Sequence, residues 1–261
     1  MARKTIGARE RFTPNLPTIH PSGVDQPEEC WGLLETTLLS HSYMFYGPVT
    51  RYLDFLDERS HDDWVECFRL YADQLRLLQW WYPGEFWVLK TPFHLWAVDA
   101  ICEVFPDAVI VQQYRDPLRC AASYCSLSAE AYKATMLKVD LEQVGQQALR
   151  YLRDALARNV TARERLPADR FVDIAYADLM ADPMACAERV YAAARRELGP
   201  SARRAMGDYL ARQEKSGKHR GHAYTLSDYG LDEAEVAAAF AAYGTLVEQG
   251  AAAGRRGGAP G

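Results

Sequence analysis

Two apolar runs of the sequence each end in side chains that can bind an anion. The run Phe86–Lys90 ends in a lysine, and His94 follows four residues later. The run Val109–Tyr114 is followed directly by Arg115, with Ser123 eight residues beyond that arginine. A lysine, an imidazole, a guanidinium and a hydroxyl in these places predict a site for a phosphorylated or sulfated ligand.

The elements around these residues must bring them together. Both runs are typical of β-strands that lead into helices, and a third strand is predicted at Arg170–Tyr176. Asp116 and Pro117 suit the N-cap and the first position of a helix, whose exposed N–H groups favour anions. Strands that alternate with helices predict an α/β fold with a small parallel sheet. Ligands of such sheets bind beyond the carboxyl ends of the strands.

The sequence divides into an arm, one domain and a tail. Residues 1–26 are rich in Pro, Gly and Thr and predict an extended arm. A single α/β domain is predicted over residues 27–249, and it opens with a helix whose first turn is Pro27-Glu28-Glu29. The low-complexity residues 250–261 predict a disordered tail.

Composition argues against several classes of protein. A formal charge of -5 over 261 residues argues against general nucleic-acid binding, which needs a basic face. The six cysteines form no CxxC pair and no His/Cys cluster, so we expect reduced thiols, no metal and a cytoplasmic location. No apolar run is long enough to predict a membrane span.

Five segments of the chain carry a further pattern. In order they read IHPSGVDQPEEC, LQWWYPGEFWVLKTPFHL, VFPDAVIVQQYRDPLRCAASYCSL, IAYADLMADP, and HAYTLSDYGLDEAEV with FAAY after it. Between about residues 18 and 249 the chain resembles the sulfotransferase superfamily, especially its bacterial branch. The resemblance implies a P-loop-NTPase-like sulfotransferase fold and the sulfuryl donor 3′-phosphoadenosine 5′-phosphosulfate (PAPS), with PAP as product and no metal. It also implies an acceptor hydroxyl or amine.

The same resemblance implies which residues contact the donor. Arg115 and Ser123 match the pair that holds the 3′-phosphate, and Tyr176 matches a motif at a strand end. Lys218 and Arg220 lie in a glycine-bounded loop that resembles the family's C-terminal phosphate-contacting segment. The plainer interpretations are an arginine paired with the neighbouring aspartate, an ordinary helical serine and a mobile, solvated loop.

Three residues match the family's places for charge and a base near the transferred group. Lys90 can neutralise charge that develops on the leaving oxygens, and a neutral His94 can take the acceptor's proton. His20 matches an early histidine of the family and is the second candidate base. Alternatively, Lys90 is a surface cation and both histidines are structural.

The acceptor and its pocket are less defined. The aromatic groups at residues 41–46, at Trp80-Trp81 and at Trp96 either line an acceptor pocket or form the core. Carbohydrate, lipid, polyketide and small phenol acceptors all stay open.

One family feature is missing from the sequence. The family normally opens with a strand, a phosphate-wrapping loop resembling G-x-x-R-S/T-G-T-[ST], and a helix, and no such loop occurs here. Three explanations stay open. The given start of the sequence lies downstream of the true one, which is the explanation we favour. Otherwise the chain is an inactive or partner-binding relative of the family, or another segment or subunit supplies the loop. Without the first strand, an exposed sheet edge favours a homo-oligomer. A P-loop kinase and a serine hydrolase lack support, since neither G-x-x-x-x-G-K-[ST] nor G-x-S-x-G occurs.

Overall fold

The described part of the chain contains a small parallel sheet. The computed structural model describes residues 13, 15, 16, 20, 28–216 and 225–246. Within them, strands β1 (Ile110–Tyr114) and β2 (Phe171–Ala175) pair in parallel, from Ile110 opposite Phe171 to Tyr114 opposite Ala175. The sequence therefore predicted these two strands, and the parallel sheet of an α/β fold, correctly.

Helices make up most of the described chain. In order they are α1 (Trp31–Glu35), α2 (Thr50–Asp57), α3 (His61–Trp81), α4 (Val98–Val104), α5 (Pro117–Tyr132), α6 (Leu141–Arg165), α7 (Tyr176–Ala181), α8 (Pro183–Ala193), α9 (Pro200–Ser216), α10 (Glu233–Ala239) and α11 (241–246). Short 3₁₀ helices cover His41–Tyr46, Pro92–Ala97, Ala168–Arg170 and Leu226–Tyr229.

Local chemistry explains where the long helices begin and end. Ser60 and Asp63 form a capping box at the start of α3, where each side chain bonds to the other's backbone N–H. Pro83 and Gly84 follow the end of that helix, as expected for residues that stop a helix. The predicted break inside the stretch 128–165 lies between α5 and α6, and Asp140 caps the second of these helices.

The predicted strand at Phe86–Lys90 is wrong. This segment forms no regular secondary structure, and the sheet in the described part of the chain consists of β1 and β2 alone. Most of its apolar side chains are open to solvent, with Val88 83 % exposed, whereas Leu89 packs against the hydrophobic core. Its aromatic and β-branched residues favour a strand, but a strand also needs a partner for its backbone groups. Residues 80–82 and 86–88 are all exposed large hydrophobic residues close together in sequence, and we call this set the aromatic ridge.

The other aromatic residues belong mainly to the core. His41, Met44 and Trp96 are buried, and the imidazole of His41 packs 4.2 Å from the ring of Trp96. Trp80 and Trp81 instead lie at the surface, on the aromatic ridge. The predicted pocket of aromatic residues is therefore split between a packed interior and an open face.

Candidate functional site

The carboxyl ends of the two strands bring Arg115 and Tyr176 together. Each residue directly follows its strand, and because the strands are parallel both lie at the same edge of the sheet. The guanidinium carbon of Arg115 lies 4.7 Å from the centre of the Tyr176 ring, which is cation–π geometry. In the described part of the chain no carboxylate forms an ion pair with Arg115. Its charge therefore remains available to an anion.

The start of α5 adds backbone donors beside that arginine. Asp116 caps the helix, and its carboxylate accepts the N–H of Arg119 at 2.8 Å rather than pairing with Arg115. Pro117 occupies the first helical turn, as expected for a residue with no N–H to satisfy. Ser123 is half-buried and lies seven residues after Asp116, hence on the same face of the helix. The guanidinium of Arg115 thus lies beside the start of α5, and Ser123 lies two turns further along that helix.

Lys90 is held by the segment that precedes α1. Its ammonium forms an ion pair with Glu29, whose side chain is only 14 % exposed. The backbone carbonyl of Lys90 accepts the N–H of Cys30 at 3.0 Å. Two bonds from consecutive residues therefore fix the end of the segment Phe86–Lys90, although no strand in the described part of the chain pairs with it.

His94 lies in an aromatic environment behind Lys90. Its Nε2 is 3.8 Å from the Sγ of Cys30, and the rings of Phe68 and Tyr71 each lie 6.0 Å from its own. Burial lowers the pKa of His94 from 6.5 to about 4, because the aromatic surroundings disfavour the charged form. Burial likewise raises the pKa of the Cys30 thiol. The imidazole and the thiol are both neutral near pH 7.

His20 contacts the same segment. Its Nε2 lies 3.2 Å from Oε1 of Glu28, the residue before Glu29. The three consecutive residues 28–30 therefore contact His20, Lys90 and His94 in turn. The three side chains expected to handle charge and protons are brought together by a segment that sequence reasoning had assigned to a helical turn.

Glu29 and Cys30 are the residues that sequence reasoning missed. The two acids before Cys30 suit the first turn of a helix, but α1 begins only at Trp31. A signal was present, since both residues lie in the segment IHPSGVDQPEEC that matched the family together with His20. Lys218 and Arg220 lie outside the described residues.

Two surface clefts lie apart from these residues. The larger, of about 580 Å³, is lined by Trp64, Trp96, Arg158 and neighbouring side chains of α3, α4 and α6, and the smaller lies between α8 and α9. Neither is lined by a predicted donor-binding or catalytic residue. The described residues contain no cluster of three metal-binding side chains. No helix among them is both long enough and apolar enough to cross a bilayer.

Comparisons with known proteins give a consistent result. The family model described as the sulfotransferase family matches residues 2–200. The crystal structure of sulfotransferase STF1 from Mycobacterium tuberculosis is similar, with 30 % identity and a TM-score of 0.74 over 90 % of this chain. Sulfotransferase STF9 from Mycobacterium avium is similar as well, with 27 % identity and a TM-score of 0.76 over 93 % of this chain. The match spans 62 % of each of those chains. A comparison with curated proteins gave no match.

Proposed function

The chain belongs to the sulfotransferase family, and we propose that it binds PAPS and transfers its sulfuryl group to an acceptor hydroxyl or amine. The observation that carries this proposal is Arg115. It lies at the carboxyl end of β1 beside the start of α5, stacked on Tyr176 and without a carboxylate partner in the described residues. A charge-assisted bond from this guanidinium, supported by Ser123, would hold the 3′-phosphate of the donor.

The reaction places different demands on the other end of the donor. The acceptor oxygen or nitrogen forms a bond to sulfur while the bond from sulfur to the 5′-phosphate oxygen breaks, so PAP leaves with the bonding electrons. Lys90 is suited to neutralise the charge that develops on that oxygen. The acceptor's proton passes to a nearby base, for which His94 and His20 are the candidates from sequence. Glu29 is a third candidate base, because its carboxylate contacts Lys90.

Variants of the candidate bases, together with the pH dependence of kcat, show which base takes the acceptor's proton. A general base contributes about 10²–10⁴-fold to the rate. If Glu29 is the base, Glu29→Gln lowers kcat by that order while His94→Asn has a small effect, and the reverse holds if His94 is the base. The burial that lowers the pKa of His94 to about 4 makes it a weaker base than an exposed imidazole. An acid limb of the kcat profile that His94→Asn removes would nevertheless assign the role to His94.

A second candidate is a sulfotransferase-like protein that binds a nucleotide or partner without turnover. The observation in its favour is that Lys90 is already paired with Glu29 and that burial lowers the pKa of His94 to about 4. Release of PAP from PAPS, measured with phenol, carbohydrate and lipid acceptors, distinguishes the two. Acceptor-dependent release that Arg115→Met lowers at least tenfold supports catalysis. Binding of PAP with no release under any condition supports the binding protein.

Two further properties belong to this proposal. The aromatic ridge is an apolar surface of the kind that is normally covered, and this favours self-association. All six cysteines are free and four of them are buried, which suits a reducing compartment such as the cytoplasm. A small molecule, or the carbohydrate or lipid part of a larger one, is the acceptor class we propose.

A further inference from the structure

The larger surface cleft, bounded by residues of α3, α4 and α6, is lined by two arginines. Arg158 and Arg165 are seven residues apart on α6, so both lie on the same face of that helix. Neither guanidinium forms an ion pair with a carboxylate in the described part of the chain. Arg158 instead stacks on Trp96, 4.5 Å from the ring centre, and donates to the backbone carbonyl of Asp57 at 3.2 Å. Both arginines can therefore donate further hydrogen bonds to an anion in the cleft.

The carboxylates that line the same cleft already have partners. Each contacts a basic side chain: Asp57 contacts Arg150, Asp154 contacts Arg153, and Asp99 contacts the imidazole of His61. Because these partners offset the negative charges, the two unpaired guanidinium groups leave a modest positive charge at the cleft. A modest charge favours a ligand with a single negative charge over a nucleotide with several, which the nearby carboxylates would repel.

Two tryptophans supply further donors at this cleft. Trp64 and Trp96 both line it, and they are only 5 % and 4 % exposed. The indole nitrogen of each is withdrawn from solvent and has no hydrogen-bond acceptor among the residues that the structure describes. An indole N–H can only donate, and a buried donor without an acceptor is costly. A ligand that brings an acceptor atom against these rings would satisfy donors that the described residues leave unpaired.

We propose that this cleft is a second binding site, separate from the donor site, for a small carboxylic acid with an aromatic or apolar body. A planar carboxylate suits the guanidinium of Arg158, which can donate two parallel hydrogen bonds to it. The rings of Trp64 and Trp96 pack against the body of the ligand. The volume of about 580 Å³ lies within the range of small-molecule sites, about 300–1,000 Å³. The proposal does not depend on the proposed function, because none of these residues is assigned to PAPS.

The test is a titration with benzoate, followed by NMR on protein whose tryptophans carry ¹⁵N. The indole signals of Trp64 and Trp96, assigned with Trp64→Phe and Trp96→Phe, should shift until the site is saturated. Benzamide, a neutral molecule of nearly the same shape, should bind at least about tenfold more weakly. Arg158→Gln should weaken benzoate binding about tenfold, and Arg165→Gln about threefold, because Arg165 is exposed and its charge is screened. The matched control Arg212→Gln, at an exposed position of α9 that does not line the cleft, should leave the affinity unchanged.

Several outcomes would overturn this inference. Equal affinity for benzoate and benzamide would mean that the cleft binds apolar molecules without recognising charge. Indole signals of Trp64 and Trp96 that do not move with benzoate would exclude the site, as would an unchanged affinity in Arg165→Gln, whose exposed position spares the fold if Arg158→Gln disturbs the packing on Trp96. PAP that displaces benzoate in direct competition would make the cleft a nucleotide site and would overturn the proposed donor site as well. PAP binding that leaves benzoate in place supports two separate sites.

Discussion

The imidazole of His41 should make the protein sensitive to mild acid. It is 1 % exposed and packs against Trp64, Trp96 and Tyr151, and its buried Nε2 has no hydrogen-bond partner among the residues that the structure describes. Burial, with a smaller effect from the nearby charge of Arg158, lowers its pKa from 6.5 to about 3. Below pH 6.5 the unfolded chain therefore binds a proton at this imidazole that the folded chain does not bind. The free energy of unfolding decreases as the pH falls, until the pH approaches 3.

The expected loss follows from the gap between the two pKa values. At pH 5, about 1.5 pH units below the pKa of the unfolded imidazole, protonation stabilises the unfolded state by about 2 kcal/mol. The folded state gains no such stabilisation, because its imidazole stays neutral at this pH. In His41→Leu this contribution disappears. Urea unfolding followed by far-ultraviolet circular dichroism at pH 7 and pH 5 gives the loss for each protein. We expect the wild type to lose about 2 kcal/mol more than the variant between these two values.

Comparing the two proteins removes other titrating groups from the result. His94, whose burial lowers its pKa to about 4, also makes the protein less stable as the pH falls. His61 acts in the opposite direction, because its hydrogen bond to Glu103 raises its pKa. Both are present in the wild type and in the variant, so their contributions cancel. An equal loss in the two proteins would mean that His41 is protonated inside the fold or reaches solvent, and the reasoning from burial would be refuted.

Two further predictions concern packing and surface. Gly145→Ala places a methyl group on α6 closer to the backbone of Tyr229 than van der Waals contact allows. We therefore expect the free energy of unfolding, measured in urea, to fall by about 2 kcal/mol or more. Gly207→Ala, in open space on α9, should instead gain up to about 1 kcal/mol from helix propensity, and a gain in both variants would contradict the close contact. Trp81→Ser on the aromatic ridge, where the indole is 74 % exposed, should shift sedimentation towards the monomer. The same change at exposed Leu137, outside the ridge, should not, and a wild type that is already monomeric at high concentration would exclude the ridge as an interface.

Local chemistry made part of the site predictable. An aspartate and a proline after an apolar run specify a helix start wherever they occur, so Arg115 could be assigned to a strand end beside that start from sequence alone. Tyr176 follows β2 in the same way. Because parallel strands end at a common edge, their meeting followed from the predicted fold class.

The remaining features depend on neighbours that the sequence does not specify locally. Phe86–Lys90 has the composition of a strand, but pairing requires a partner from elsewhere in the chain. Glu28 and Glu29 have the composition of a helical turn, while their actual contacts are with His20 and Lys90. The packing of the Tyr243 ring against that of Tyr114 joins residues far apart in sequence, and no spacing rule indicates it.

A crystal structure of the chain with PAP tests the account most directly. The expected result is electron density for PAP at the carboxyl ends of β1 and β2, with the 3′-phosphate within hydrogen-bond distance of Arg115 and Ser123. Density for PAP elsewhere, for example in the cleft lined by Trp64 and Trp96, would contradict it, as would a 3′-phosphate that makes no contact with Arg115.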